Sequence, residues 1–162
     1  MAKESYKIVI LGDSGVGKSS FVEKFNTGDF KREYSPSTDI NVTRVYFKRV
    51  HLDFWNVIRS GDDEKYISDA DAYVIMFDLT NRHSHIHSFN DATYAVDTGK
   101  PFIICGNKSD MVDKPGTMSL QDIHIGKEFK NYAELFIISV QSGYQYAEAV
   151  TALMKKLGID CN

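Results

Sequence analysis

The sequence lacks most of the features that mark secreted, membrane-bound or lipid-anchored proteins. Only two of its 162 residues are cysteines, Cys105 inside an apolar run and Cys161 beside the end, so a disulfide framework is not expected. No apolar run approaches the roughly 20 residues that span a bilayer, and the first residues lack a signal-peptide pattern. Cysteine is not fourth from the end, so this sequence carries no prenylation motif, either because the protein is not lipid-anchored or because a tail is missing from it. We expect no membrane anchor within this sequence and an intracellular location, in the cytoplasm or also in the nucleus.

A basic excess is also missing. The chain has 19 basic and 22 acidic residues and a formal net charge of −3, so a nucleic-acid partner is not expected. Hydrophobic residues make up 43% of the chain, which is typical of a globular domain. This length and composition predict one domain over residues 1–162, and we expect a monomer.

Strand-like and helix-like segments alternate along the chain. The predicted strands are Tyr6–Leu11, Asn41–Phe47, Val50–Trp55, Ala72–Phe77, Phe102–Cys105 and Leu135–Val140. The predicted helices are Val16–Asn26, Ile86–Val96, Leu120–Phe129 and a last one from Tyr146 to Leu157. The second and third strands are close enough in sequence to pair antiparallel, whereas the later apolar runs suit a covered parallel sheet. This alternation predicts an α/β fold with ligands bound at the carboxyl ends of the strands.

The first strand leads into a phosphate-binding motif, called the phosphate loop below. It comprises Gly12, Asp13, Ser14, Gly15, Val16, Gly17, Lys18 and Ser19, in the pattern G-x-x-x-x-G-K-[ST], and we extend the predicted phosphate site to Ser20. Glycines let successive backbone N–H groups point at phosphate oxygens, and the following helix N-terminus adds partial positive charge. Lys18 is expected to reach the β- and γ-phosphates, and the Ser19 hydroxyl to coordinate Mg²⁺.

A second motif, Asn107-Lys108-Ser109-Asp110, indicates which base is bound; we call it the base loop. Guanine presents two adjacent donors, and the carboxylate of Asp110 can accept both. Adenine has no such pair and would leave the carboxylate unsatisfied. Asn107 is expected to tie this loop to the phosphate loop and the base, and the stem of Lys108 to lie against the ring.

With these two motifs the chain resembles the Ras superfamily of small GTPases over nearly its whole length, most closely the Ran branch, with Rab-like proteins second. The segments that carry the Ran likeness are Phe21-Val22-Glu23-Lys24, Ile75-Met76-Phe77-Asp78 and Cys105-Gly106-Asn107-Lys108. The resemblance implies a P-loop NTPase fold with a mostly parallel six-stranded sheet, one antiparallel pair and about five helices. It also implies GTP or GDP with Mg²⁺ as ligands, and effector or regulator proteins as partners: an exchange factor, an activating protein or a transport-receptor-like protein.

Further residue roles follow from the resemblance alone. Phe30 matches an aromatic that packs edge-on against guanine, and Tyr34 matches the first-switch tyrosine that covers the phosphates. Either Ser37 or Thr38 matches the first-switch hydroxyl that binds Mg²⁺ and senses the γ-phosphate.

Ser139-Val140-Gln141 stands where the family has Ser-Ala-Lys beside guanine. Val140 is expected to offer its backbone N–H to the guanine carbonyl oxygen. Gln141 replaces a lysine whose stem flanks the ring, so we expect somewhat weaker nucleotide binding.

The second switch departs from the family pattern Asp-Thr-Ala-Gly-Gln-Glu. Neutral Asn56 replaces the aspartate that orients Mg²⁺, Arg59 replaces the glycine that meets the γ-phosphate, and Ser60 replaces the glutamine that orients water. Aligning Gly61-Asp62 with Gly-Gln also leaves the glutamine missing. The candidate catalytic residues are therefore Arg59, Ser60 and Asp62. We predict very slow hydrolysis, or none without a partner that supplies the missing groups. Arg59 is interpreted as an exposed switch residue, with an arginine finger in cis as the alternative.

Two functional hypotheses come from different classes. The leading one is a nucleotide-dependent switch, in which GTP with Mg²⁺ orders the first switch to create a partner surface. The other is a non-catalytic pseudo-GTPase that binds guanine nucleotide and sequesters regulators or effectors of a related GTPase. A P-loop kinase is disfavoured because the base loop and the switch pattern are both present.

Several chemically suggestive residues are not predicted to form sites. The alternating His83, His85 and His87 are interpreted as a solvated polar segment rather than a zinc site, because no cysteine or carboxylate adjoins them. The run Asp62-Asp63-Glu64 is interpreted as a charged surface turn or helix start, and Trp55 as a residue packed between sheet and helices.

Overall fold

Six strands form one sheet in the computed structural model, which describes residues 3–27, 40–57, 63–112 and 114–162. They are β1 (Ser5–Leu11), β2 (Asn41–Phe47), β3 (Val50–Asn56), β4 (Ala72–Asp78), β5 (Phe102–Asn107) and β6 (Leu135–Ile137). The order across the sheet is β2-β3-β1-β4-β5-β6. Every neighbouring pair is parallel except β2 and β3, which are antiparallel. This confirms the predicted mostly parallel α/β sheet with one antiparallel pair.

The central strands are buried on both faces. All seven residues of β4 and all six of β5 are buried, as expected for apolar runs without polar alternation. Such strands need helices on both sides of the sheet.

Four α-helices in the described part of the chain provide this cover: α1 (Lys18–Thr27), α2 (Glu64–Ile67), α3 (Arg82–Thr98) and α4 (Tyr146–Lys156). Phe21 of α1 and Leu153 of α4 belong to one apolar cluster with residues of the sheet. Ile67 of α2 and Ala92 of α3 belong to a second cluster. No helix among the described residues combines the length and the apolar character needed to cross a membrane.

Two helices begin at residues other than those predicted. α1 starts at Lys18 rather than Val16, because the phosphate loop occupies the preceding residues. α3 starts at Arg82 rather than Ile86, because the side chain of Asn81 caps it by accepting two backbone N–H groups of the first turn.

The helix predicted over Leu120–Phe129 is wrong. The segment contains two 3₁₀ turns, Leu120–Asp122 and Lys127–Phe129. Gly126 between them has an extended ψ of 149°, which interrupts any helical path. The described residues therefore contain four α-helices, not about five.

The last strand is shorter than predicted and ends at Ile137 instead of Val140. The backbone N–H of Ser139 donates to the carbonyl of Tyr144, so the chain turns away from the sheet. The residues after Ile137 thus adjoin the base loop, where Ser109 N–H donates to the carbonyl of Ile138.

Candidate nucleotide-binding site

One edge of the sheet gathers the residues singled out by the sequence. β1, β3, β4 and β5 run parallel, so their carboxyl ends lie together. The phosphate loop follows β1, while Asn56, Asp78 and Asn107 end the other three strands. Ligands of open α/β sheets bind at this edge, so the topology assembles a candidate site there.

The phosphate loop depends on glycine at its closest approach to the base loop. Gly15 and Gly17 have φ values of 84° and 106°, in the region that favours glycine. A Cβ on Gly17 would lie 2.3 Å from Nδ2 of Asn107. Val16, between the two glycines, is buried and turns its carbonyl toward Asn107. Glycine at position 17 therefore allows both the backbone conformation of the phosphate loop and its close contact with the base loop.

Lys18 is 6% exposed and folds over the phosphate loop. Its Nζ donates to the carbonyls of Gly12 at 2.5 Å and Asp13 at 3.0 Å. Burial lowers the pKa of Lys18, while the nearby carboxylates of Asp13 and Asp91 raise it in opposition. A cation in these partly dry surroundings interacts strongly with a phosphate, because solvent screens it less than at the surface.

Ser19 and Asn56 meet beside Lys18. The side-chain amide of Asn56 donates to the Ser19 hydroxyl at 2.8 Å. Asn56 is 4% exposed, and its Oδ1 is a buried acceptor without a hydrogen-bond partner among the described residues. Ser14 is exposed and Ser20 half-buried in the same stretch.

The hydroxyl oxygen of Ser19 and Oδ1 of Asn56 are both of the ligand type that Mg²⁺ prefers. Mg²⁺ prefers oxygen ligands and is usually held by few protein groups together with phosphates and waters. The described residues contain no cluster of three or more histidine, cysteine or acidic side chains that could hold a metal by itself. Ser19 Oγ and the unpartnered Oδ1 of Asn56 suit a cation that arrives with the nucleotide, but neither oxygen carries a formal charge.

The base loop is joined to two other segments by Asn107, which is 3% exposed. Its Nδ2 donates to the Val16 carbonyl at 3.0 Å, and its Oδ1 accepts the Val140 N–H at 3.0 Å. The Val140 N–H, expected to donate to guanine, thus has another acceptor in this structure. Lys108 lies 2.7 Å from the carboxylate of Asp78, which fixes the direction of its stem.

Asp110 is oriented by the segment after β6. Its Oδ1 accepts the hydroxyl of Ser139 at 2.7 Å, and Ser139 is fully buried. The same hydroxyl oxygen accepts the Ser142 N–H at 3.0 Å. Gln141 is exposed beside this turn. Six of the seven residues expected at guanine lie in the described part of the chain. Hydrogen bonds join Asp110 to Ser139 and Asn107 to Val140, while Lys108 and Gln141 adjoin them in sequence.

Two of the three α3 histidines have specific partners, so the interpretation of a solvated segment is wrong for His85 and incomplete for His87. His85 is buried, packs against the rings of Phe77 and Phe89, and contacts the His124 carbonyl through Nε2 at 3.1 Å. Burial lowers the pKa of His85. His87 places Nδ1 2.6 Å from Oδ2 of Asp13 in the phosphate loop, a contact that the sequence analysis missed.

For the run Asp62-Asp63-Glu64, interpreted as a surface turn or helix start, the helix start is confirmed, because α2 begins at Glu64 with Asp63 as its N-cap residue. Asp63 is nevertheless only 4% exposed, so it does not lie on the surface. Trp55 is half-buried, and the ammonium of Lys7 lies 3.8 Å from the centre of its ring.

Seven predicted site residues lie outside the described part of the chain. They are Phe30, Tyr34, Ser37, Thr38, Arg59, Ser60 and Asp62. The first-switch and catalytic assignments therefore stay predictions.

In a comparison with known families, the family model described as Ras family matches residues 7–158. The matched range includes the phosphate loop, Asn56, the base loop and the turn that follows β6.

Proposed function

Because this chain belongs to the Ras family, we propose that it is a GTP- and GDP-dependent switch of the Ran-like branch that hydrolyses GTP very slowly. Family membership makes it a GTP-binding small GTPase. The proposal goes beyond this in two respects: the Ran-like branch, with Rab-like proteins as second choice, and the slow hydrolysis.

The bridge made by Asn107 is the observation that carries the proposal. A single buried amide ties the loop expected to grip phosphates to the loop expected to read the base, through Val16 on one side and Val140 on the other. A ligand that fills both ends of the site must contain both a base and phosphates. A guanine nucleotide fits, because the oriented carboxylate of Asp110 suits its two adjacent donors.

Binding then follows from the positions of the chain's own groups. Backbone N–H groups of the phosphate loop and the ammonium of Lys18 hold the phosphates, with Lys18 giving up its contacts to the Gly12 and Asp13 carbonyls. Ser19 and Asn56 would hold Mg²⁺, which supplies neutralisation of charge on the phosphate oxygens. Asp110 selects guanine.

Slow hydrolysis is supported by the end of β3. The side-chain amide of Asn56 donates a hydrogen bond to Ser19. The next residue, Val57, is fully buried in the apolar cluster that contains Leu11 and Ile67. The side chain after Asn56 is therefore committed to the core, where the family sequence has a threonine. With the water-orienting glutamine also absent, we expect turnover below the roughly 3 × 10⁻⁴ s⁻¹ of unaided Ras.

Released nucleotide tests the binding half of this proposal. Purified protein is denatured, and the nucleotide set free is identified by chromatography, with Lys18→Ala as the matched binding-deficient control. We expect guanine nucleotide in near-stoichiometric amount from the native sequence and little from the control. Adenine nucleotide, or none after attempted reloading with GDP, would contradict the proposal.

Single-turnover decay of loaded GTP tests the catalytic half. We expect the half-life of bound GTP to exceed the roughly 40 minutes that correspond to unaided Ras. A rate at or above that of ordinary family members would rule out slow hydrolysis while leaving nucleotide binding intact.

The buried Val57 and the neutral Asn56 also favour the alternative, a non-catalytic module that binds guanine nucleotide and sequesters regulators or effectors of a related GTPase. Such a module keeps its nucleotide uncleaved even when activating proteins are present. Stimulated GTP loss on addition of an activating protein supports the switch, whereas stable partner binding without GTP loss supports the sequestering module.

A further inference from the structure

β6 is an edge strand built only of apolar residues. It stands last in the sheet order, and its one neighbour among the described strands is β5. Its residues Leu135, Phe136 and Ile137 are each only half-buried. Proteins usually protect such an edge with a charged residue or proline, and β6 contains neither. The strand is therefore a surface on which a further strand can pair.

The backbone of β6 directs hydrogen-bonding groups to its open side. The carbonyl of Glu134 accepts a hydrogen bond from β5, and the N–H of Ile138 donates one to β5. Because alternate residues of a strand face the same neighbour, Phe136 also faces β5, whereas Leu135 and Ile137 direct their N–H and C=O groups outward. These groups face the side of β6 where no described strand lies.

A second copy of the chain fits this edge through a two-fold axis at Phe136. In an antiparallel pair centred there, Leu135 of each copy lies opposite Ile137 of the other. These are the residues with outward groups, so each of the two pairs exchanges two hydrogen bonds. The Phe136 side chains of the two copies then meet at the axis, in the position where facing side chains are closest. The strand is thus complementary to itself, which an interface between two identical chains requires.

Helix α4 lies beside β6 at the level of that axis. A cavity of about 660 Å³ between them is lined by Phe136 and, on α4, by residues that include Glu148, Thr151, Ala152 and Lys155. The same two-fold operation pairs the α4 helices of two copies antiparallel, with Thr151 and Ala152 at the centre. Glu148 of each copy then lies opposite Lys155 of the other, because the two residues are equally far from that centre.

These charges are complementary between copies. Glu148 and Lys155 are both exposed, and neither forms an ion pair in the part of the chain that the structure describes. They lie two helical turns apart, roughly 10 Å along the axis, which is too far for a pair within the helix. The other charged residues of the cavity, Glu134 and Lys156, have opposite signs, and Lys156 donates to the Tyr132 carbonyl at 3.4 Å. Antiparallel pairing therefore gives each Glu148 and each Lys155 a partner.

The opposite face of β6 adds apolar surface. Leu135 and Ile137 line a second cavity, of about 680 Å³, together with Val112 and Ile123. Tyr144 lines the same cavity and is 56% exposed. A second copy placed against the edge of β6 would cover part of this surface, and the removal of apolar surface from water favours association.

We propose that this chain forms a two-fold symmetric dimer in which the β6 strands of two copies pair antiparallel and join their sheets. The pairing residues lie outside the phosphate and base loops, so the inference does not depend on the proposed function. It departs from the monomer expected from the sequence, because length and composition carry no information about an open strand edge.

Sedimentation velocity of the purified full chain, across low- to high-micromolar concentrations, tests the dimer. We expect the native protein to shift from monomer to dimer as its concentration rises. Glu148→Lys and Lys155→Glu each set like charges opposite one another in the helix pair, so each should weaken dimerisation about tenfold. Both positions are exposed, so neither change disturbs the core.

An equimolar mixture of these two variants is the most specific measurement. In the mixed dimer, the two substituted positions face each other with opposite charges, and native Glu148 faces native Lys155. The mixture should therefore dimerise about as strongly as the native protein, although each variant alone does not. An interface elsewhere on the chain does not predict this recovery.

Leu135→Pro tests the strand pairing, because it removes an outward N–H at an edge position where proline does not interrupt the bonds to β5. Leu135→Ala is the matched control, which loses the same side chain but keeps the N–H. We expect Leu135→Pro to weaken dimerisation several-fold more than Leu135→Ala. Thermal melts of all variants show whether each retains the fold.

A native protein that stays monomeric at every concentration would overturn the inference. A dimer that the charge variants leave unchanged, or a mixture no stronger than its components, would overturn it as well. None of these results bears on the proposed function, which is judged on the same samples by the guanine nucleotide released on denaturation. A dimer that follows the expected charge pattern but neither releases nor reloads guanine nucleotide would contradict the proposed function alone.

Discussion

The side chain of Asn107 reaches across 91 residues of sequence to donate to the backbone carbonyl of Val16 at 3.0 Å. The carbonyl belongs to the phosphate loop, and the amide belongs to the base loop. The same side chain accepts the N–H of Val140 at 3.0 Å, so three separate segments share one buried amide. This side chain thus joins the two ends of the nucleotide site.

Truncating this amide should weaken both fold and binding. In Asn107→Ala, the Val16 carbonyl and the Val140 N–H lose their partner in a buried place, at a cost of about 1–3 kcal/mol for each group left unsatisfied. With two groups left unsatisfied, we expect the free energy of unfolding to fall by about 2–6 kcal/mol in urea titrations of nucleotide-free protein. GDP dissociation, followed with a fluorescent analogue, should be at least tenfold faster.

Gly17→Ala tests whether the bridge is the cause. The added Cβ would lie 2.3 Å from Nδ2 of Asn107 and would displace the amide from Val16. Because both changes break the same contact, the double variant should be less destabilised than the sum of the two single variants. Additive losses would mean that the two residues act independently.

The local part of the site was predictable because its information is contiguous in sequence. Glycine spacing, the strand before it and the helix after it identify the phosphate loop within eight residues. Apolar runs without alternation likewise predicted β4 and β5 as central strands, since a strand covered on both faces has no polar side.

The contacts between distant segments were not predictable in this way. Nothing in the spacing of His87 and Asp13 indicates that α3 turns one toward the other, because the meeting depends on how the helix packs on the sheet. The burial of His85 also depends on how α3 packs on the sheet. In a hydrophobicity pattern a buried histidine looks the same as an exposed one, so the sequence did not reveal it. The helix expected before β6 failed because hydrophobic spacing around Gly126 also suits irregular turns packed on the core.

Base selection can be tested by one substitution in the base loop. Asp110→Asn replaces the acceptor pair with an amide, so guanine's two donors lose one acceptor while xanthine's carbonyl gains a donor. We expect the affinity ratio of GDP to XDP to fall by at least a hundredfold in competition titrations. Ser139→Ala, which removes the hydroxyl bonded to Asp110, should weaken both nucleotides without changing their order. An unaltered preference for GDP in Asp110→Asn would refute the assignment of this carboxylate.

Removing Mg²⁺ tests the consequence of a neutral residue at position 56. Because Ser19 and Asn56 supply oxygens without formal charge, Mg²⁺ adds less to nucleotide retention than it would beside a carboxylate. We expect EDTA to accelerate GDP dissociation only modestly in the native protein. In Asn56→Asp, EDTA should accelerate GDP dissociation, relative to the rate with Mg²⁺, by about tenfold or more beyond its effect on the native protein. The reason is that the substitution adds a charged oxygen in a buried place.

Asn131→Asp is the matched control for this experiment. It adds one negative charge at an exposed position that is far in sequence from Ser19 and Asn56. Its EDTA response should equal that of the native protein. If Asn56→Asp also leaves the response unchanged, the amide of Asn56 does not lie in the cation site.

Acid should destabilise the fold through His85. Burial lowers the pKa of this imidazole, and its Nε2–H donates to the carbonyl of His124. Above the ordinary pKa of histidine, both the folded and the unfolded chain carry a neutral His85, and its contribution to stability is fully present. As the pH falls below that value, the unfolded chain binds the proton first, so the free energy of unfolding decreases. Thermal melts between pH 7.5 and 5.0 should show a falling midpoint that is partly flattened in His85→Gln, which keeps a donor but does not titrate. His83→Gln, at an exposed position on the same helix, should follow the native profile; identical profiles for His85→Gln and the native protein would exclude His85 as the source of the acid sensitivity.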